Sequence, residues 1–144
     1  MVDLEKQLAA ERLAIETLYR AFSDKKPDLI DQAVTPDWDD IPLAPGQGPG
    51  PEGIKPIIRS LAEALPDVQI TIKDIIHVPG HAGVRAELTG THKGSLFGIE
   101  PTNKKVTIGI HEFHKLNGEK ITATWHMEDW LGCFMQLGQF PPMP

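Results

Sequence analysis

One cysteine, Cys133, is all the thiol this chain has. It leaves no partner for an intrachain disulfide and fits a reducing compartment, so a cytoplasmic protein is expected. Its neighbours Leu131, Phe134 and Met135 are apolar, which suits a core thiol better than a nucleophile. Positive charge is also short: Lys and Arg total 14 against 20 Asp and Glu, for a net charge of −6. Binding a phosphate backbone needs a basic patch, so no nucleic-acid partner is expected. No apolar run approaches the roughly 18 residues of a membrane span, so no membrane partner is expected. The opening stretch MVDLEKQLAAERLA is charged and amphipathic, unlike a signal peptide. Repeats and low-complexity tracts are missing too. What remains is an ordinary globular composition, 40% hydrophobic and 24% charged. Its 144 residues are expected to form one domain, 1–144, around one core.

Hydrophobic periodicity divides the chain. Leu4, Leu8, Ile15, Leu18, Tyr19 and Phe22 make one apolar stripe of a helix over 3–23. A short helix over about 27–33 follows, with Pro27 suited to its first turn. VTPDWDDIP is an extended piece carrying Trp38. PLAPGQGPGP (42–51) holds four prolines and three glycines and reads as a stiff loop bordering a cavity. Ile54, Ile57, Ile58, Leu61 and Leu65 mark a third helix, which Pro56 should delay or bend. Strand alternation then sets in at Val68–Ile72 and at Val84–Leu88, with a turn at 77–83. The last strands, Val106–Lys115 and Ile121–Trp130, flank Asn117-Gly118, a strong hairpin signal. A short helix closes the chain. The order predicts an α+β fold: a curved antiparallel four-stranded meander with three N-terminal helices on its concave face.

Alternation from Ile121 places Ala123, Trp125, Met127 and Asp129 on one face. A carboxylate closing an apolar face has two readings. Asp129 caps the following helix, or it stands at a cavity mouth where apolar walls raise its pKa toward proton transfer. The hairpin turn decides its partner. A two-residue loop Asn117-Gly118 pairs Ile110 with Trp125 and brings His114 to Asp129. A three-residue loop with a bulge at Gly118 pairs His111 with Ala123 and brings His111 and Phe113 there. The second is preferred because it buries Phe113. His92 lies at the end of the Val84–Leu88 face, within reach of the same cavity. His77, His81 and His126 read as structural or exposed. His111-Glu112-Phe113-His114 is not the zinc motif HExxH, since on a strand its histidines diverge, and no metal is expected.

These stretches resemble a known family. GPGPEGIKPIIRSLAEALPDVQITI (48–72), GTHKGSLFGIEPTNKKV (90–106), IGIHEFHKLNGEKITATWHMEDW (108–130) and LGCFMQLG (131–138) carry the likeness. The chain is similar to the SnoaL-like polyketide cyclases, or ester cyclases, of nuclear transport factor 2-like fold. The family pattern of a Gly-Lys hairpin, a Trp, an Asp four residues on and a helix ending Gln-Leu-Gly is met by Trp125, Asp129 and Gln136-Leu137-Gly138. The turn Gly118-Glu119-Lys120 is one residue longer than usual. The resemblance implies cofactor-free intramolecular aldol ring closure, with Asp129 as general acid/base and His111 or His114 orienting a substrate oxygen. Trp125, Trp38, Phe113, Met127, Tyr19 and His92 would line the pocket for a small, mostly apolar, carbonyl-bearing ligand. It also implies a homodimer or larger homo-oligomer through the open sheet face. An isomerase, dehydratase or hydrolase on the same fold is the nearest alternative. A binding protein without turnover and an interaction module are the others.

Overall fold

The computed structural model describes residues 3–143. The expected domain bounds, 1–144, take in Met1, Val2 and Pro144, which lie outside the described residues. Helix α1 (Leu4–Ser23) is capped by Asp3, whose carboxylate accepts the Lys6 N–H at 3.2 Å. Its inner stripe is buried at Ile15, Leu18 and Tyr19 as the spacing predicts, but Leu4, counted in the same stripe, is exposed in the first turn. A 3₁₀ turn at Pro27–Leu29 leads into α2 (Ile30–Ala33), then β1 (Val34–Ile41) and α3 (Gly50–Ala64). Strands β2 (Gln69–Val78), β3 (His81–Thr91), β4 (Lys105–Leu116) and β5 (Ile121–Glu128) follow, and α4 (Trp130–Leu137) ends the fold. Helix α3 does not start late; it runs from Gly50 with Pro56 inside it.

The sheet has five strands in the order β1-β5-β4-β3-β2, antiparallel except that β1 runs parallel to β5. The expected meander is β2 to β5. The fifth strand went unread because its register shifts between Val34 and Asp39. That irregularity and three aspartates destroy any period of two in VTPDWDDI.

Strand β4 alternates cleanly: Val106, Ile108, Ile110, His114 and Leu116 are buried and face the helices. Strand β5 does not. Leu116 pairs with Ile121 while Lys115 pairs with Ala123, so Thr122 is an extra residue. A bulge reverses which face every later side chain takes. Ile121 is therefore buried, yet Trp125 and Met127 point outward and Thr124, His126 and Glu128 point in. The loop is four residues long, Asn117–Lys120, with the Asn117 carboxamide accepting the N–H groups of Glu119 and Lys120. Neither expected pairing forms: His111 pairs with Met127 and Phe113 with Trp125.

Strand β5 stops opposite Ile110, and α4 takes its place beside the start of β4. Asp129 N–H donates to the Gly109 carbonyl at 2.9 Å. The Gln136 carboxamide then accepts the Thr107 N–H and donates to its carbonyl, both at 2.8 Å, as a strand neighbour would. Gly138 ends the helix at φ 73°, a left-handed cap that favours glycine. Gln136→Ala should therefore cost about 1 kcal/mol of stability, seen as a lower denaturant midpoint with the slope unchanged. An unaltered midpoint would show that water replaces the side chain at no cost.

Candidate functional site

Polar groups gather on the helix-covered face where apolar ones were expected. Glu112 and His114 occupy inward positions of β4, and Thr124, His126 and Glu128 occupy those of β5. Helix α1 brings Tyr19 to them, and β1 brings Trp38 and Asp40. Tyr19, Trp38 and His114, all buried, occupy the expected cavity near its centre. Glu112, His126 and Glu128 are half-buried.

One hydrogen-bonded chain runs through this interior. Trp38 Nε1 donates to Thr124 Oγ1 at 3.0 Å. Thr124 Oγ1 lies 2.9 Å from His114 Nδ1, and His114 Nε2 lies 2.9 Å from the Tyr19 hydroxyl. That hydroxyl donates to Glu112 Oε1 at 2.6 Å. The Tyr19 proton is given to Glu112, so the Tyr19 oxygen accepts from His114 Nε2. Burial pushes the His114 pKa down to about 4, so the ring is neutral and its Nδ1 accepts from the Thr124 hydroxyl. Burial likewise holds the Tyr19 phenol well above its usual range. Of these donors the Tyr19 hydroxyl is the one that reaches the Glu112 carboxylate.

Glu112 is nonetheless a weak acid. Burial pushes its pKa up to about 7; the Tyr19 bond works against this, and the charges of Glu128 and Asp40 add to it. Across from it His126 Nδ1 donates to Glu128 at 2.8 Å, and Nε2 donates to the Pro42 carbonyl at 2.7 Å. With both nitrogens donating, the ring is an imidazolium, and the Glu128 bond foremost raises its pKa to about 9. Asp40, buried, has its carboxyl raised by desolvation and is held by the Gln47 carboxamide at 2.7 Å. The 42–51 loop thus meets the cluster through Pro42 and Gln47, while Leu43 is exposed.

The sequence-derived candidates divide between the two faces. His114, Tyr19 and Trp38 belong to the interior chain. His111, Phe113, Trp125 and Met127 stand exposed on the outer face, reversed by the Thr122 bulge. Asp129 is exposed at the start of α4, where its carboxylate accepts the Gly132 N–H at 2.8 Å. Its placement is that of the capping reading, without the apolar walls of the other. A side chain at residue 132 would collide with that carboxylate, so glycine there suits the cap. His92 is buried beyond the end of β3, its Nδ1 3.0 Å from the Thr102 hydroxyl, away from the cluster. Grooves of about 240 Å³ around Asp67 and Lys105, and around Asp31 and Lys120, do not reach the cluster.

Glu112, His126, Glu128 and Asp40 are not among the site candidates that the sequence points to. A signal for Glu112 existed: it interrupts the apolar parity Val106, Ile108, Ile110, Leu116. No such signal existed for His126 and Glu128, because the bulge hides their face.

Comparison with known proteins agrees with this architecture. No curated protein matches the chain in sequence. Among solved structures, TsrD from Streptomyces laurentii superposes with a TM-score of 0.84 at 22% identity, covering 97% of this chain and all of its own. A protein from Bacillus cereus ATCC 10987 described as a candidate polyketide cyclase gives 0.79 at 29% identity, over 90% of this chain and 80% of that one. IdmH from Streptomyces antibioticus, also described as a candidate polyketide cyclase, gives 0.76 at 23% identity, over 89% and 98%. The sequence profile described as SnoaL-like polyketide cyclase matches residues 12–137, nearly the whole chain. With that match, the chain belongs to the SnoaL-like polyketide cyclase family.

Proposed function

We propose that this chain closes a ring in a small carbonyl-bearing molecule by proton transfer at the half-buried cluster, with Glu112 as the base. The observation that carries the reading is the interior chain from Trp38 to Glu112, which fixes one carboxylate among buried groups and aims it with a phenol. A carboxylate with a pKa near 7 takes and returns a proton at neutral pH. In the reaction, a Glu112 oxygen removes a proton from a carbon next to a carbonyl. The electron pair passes onto the substrate's own oxygen, where the positive charge of His126 favours it. The carbanion carbon then attacks a second carbonyl of the same molecule, and the new alkoxide takes the proton back from Glu112. Atoms and charge balance without a co-reactant. Turnover of a linear substrate that carries a 1,3-dicarbonyl and a further carbonyl placed for closure of a six-membered ring, by wild type and Glu112→Gln, is the experiment that tests this.

Asp129 enters the reading as the alternative base that the family pattern indicates. Its N-cap bond and exposure favour Glu112.

A homodimer through the outer sheet face completes the reading. Ile76, Phe113, Trp125 and Met127 are exposed there at 79, 67, 45 and 70%. Phe113 and Trp125 are cross-strand partners, and the Phe113 ring lies against Gly83, so the apolar surface is continuous. Such a face associates readily in water. Light scattering at micromolar concentration should give at least twice the chain mass, and Trp125→Arg should reduce it to one chain. A wild-type monomer would refute this part.

A further inference from the structure

The cluster has more negative charge than its own cation can balance. Asp40, Glu112 and Glu128 surround the single imidazole of His126. No Lys or Arg among the described residues pairs with any of the three. A half-buried excess of carboxylate calls for a bound cation or a proton.

The geometry selects which cation. Glu112, His126 and Glu128 each offer a ligand atom, and these atoms lie within 4.8 Å of one another. They come from facing positions of adjacent strands, Glu112 being paired with His126, so the backbone sets their spacing. The surrounding bonds are those a metal-ligating set requires. The Pro42 carbonyl accepts from His126 Nε2, which leaves Nδ1 facing Glu128. The Tyr19 hydroxyl holds one Glu112 oxygen and leaves the other for a ligand. Outer bonds of this kind orient ligands and fix the imidazole tautomer. One nitrogen and two carboxylates suit a divalent first-row ion better than magnesium, which prefers an all-oxygen octahedron.

We infer that Glu112, His126 and Glu128 form a binding site for one divalent first-row transition ion, of which zinc is the probe. The ion takes the place of the proton that His126 Nδ1 shares with Glu128. It also engages Glu112, so the occupied state and the proposed proton transfer exclude one another. Binding is read without turnover, so failure of either proposal leaves the other standing.

Calorimetric titration of the chain with zinc should give one site per chain, and zinc should raise the thermal midpoint where magnesium does not. His126→Gln, Glu112→Gln and Glu128→Gln should each weaken zinc at least about 10-fold. His111→Gln, on the outer face, should leave it unchanged. Should a variant fail to fold, cobalt(II) added to the wild type reads the same site through visible ligand-field bands and displacement of the cobalt by zinc. No zinc binding by the wild type, or full affinity kept in the three inward variants, overturns the inference.

Discussion

Glu112→Gln is expected to lower turnover by about 10²–10⁴, the usual share of a positioned acid/base. The change keeps the side chain's shape and an oxygen to accept the Tyr19 hydroxyl, so the interior chain stays intact. It also removes a charge that Glu128 and Asp40 oppose, so thermal stability should hold or rise. Loss of turnover with the fold kept separates a chemical role from a packing one. Substrate affinity should change little, because the base acts in the transition state. Retention of full turnover would leave Glu112 as a buried carboxylate with a structural role only.

The largest loss of stability is expected at Glu11, far from the chemistry. This fully buried carboxylate on α1 accepts the Gly80 N–H at 3.0 Å and the Gly118 N–H at 2.8 Å. It also meets His77 Nε2 at 3.0 Å and the Gln7 carboxamide at 3.3 Å. One side chain thereby ties the β2–β3 and β4–β5 turns to the first helix. Glu11→Ala leaves those donors without an acceptor and should cost about 3–5 kcal/mol. Against a total of roughly 5–15 kcal/mol for a domain, that is a large fraction. Burial works to raise the Glu11 pKa, but the bonds from Gly80, His77, Gln7 and Gly118 together lower it. Its folded value thus lies below its unfolded one. The stabilisation is full above the ordinary glutamate range and is lost as pH falls through the folded value. The stability gap between wild type and Glu11→Ala should narrow in acid. A gap constant from pH 7 into that range would contradict the assignment.

Most of the fold was legible because most of it is periodic. The α1 stripe from Ile15 to Tyr19, the inward residues of β3 and the apolar face of α3 follow from spacing alone. Strand β1 was not, since its shifted register and its aspartates hide it. The site suffered from one residue. Alternation counted from Ile121 is correct at Ile121 and reversed from Trp125 onward, because Thr122 is bulged. A bulge depends on how the loop closes against the partner strand, which no local pattern in ITATWHME reveals. The same slip placed Asp129, Trp125, Met127, Phe113 and His111 in an interior that belongs to Glu112, His114, Thr124, His126 and Glu128. His114, Tyr19 and Trp38 are named without their partners, because their link to Glu112 spans four separate elements, α1, β1, β4 and β5.

The location of the base is tested most directly by proton exchange. A linear 1,3-dicarbonyl probe in deuterated buffer would be followed by NMR with wild type, Glu112→Gln and Asp129→Asn. Asparagine is itself a preferred N-cap, so Asp129→Asn should keep the α4 start. The account predicts that wild type and Asp129→Asn speed exchange at the carbon between the carbonyls alike, and that Glu112→Gln falls toward the solvent rate. Exchange undiminished in Glu112→Gln and lost in Asp129→Asn would contradict it.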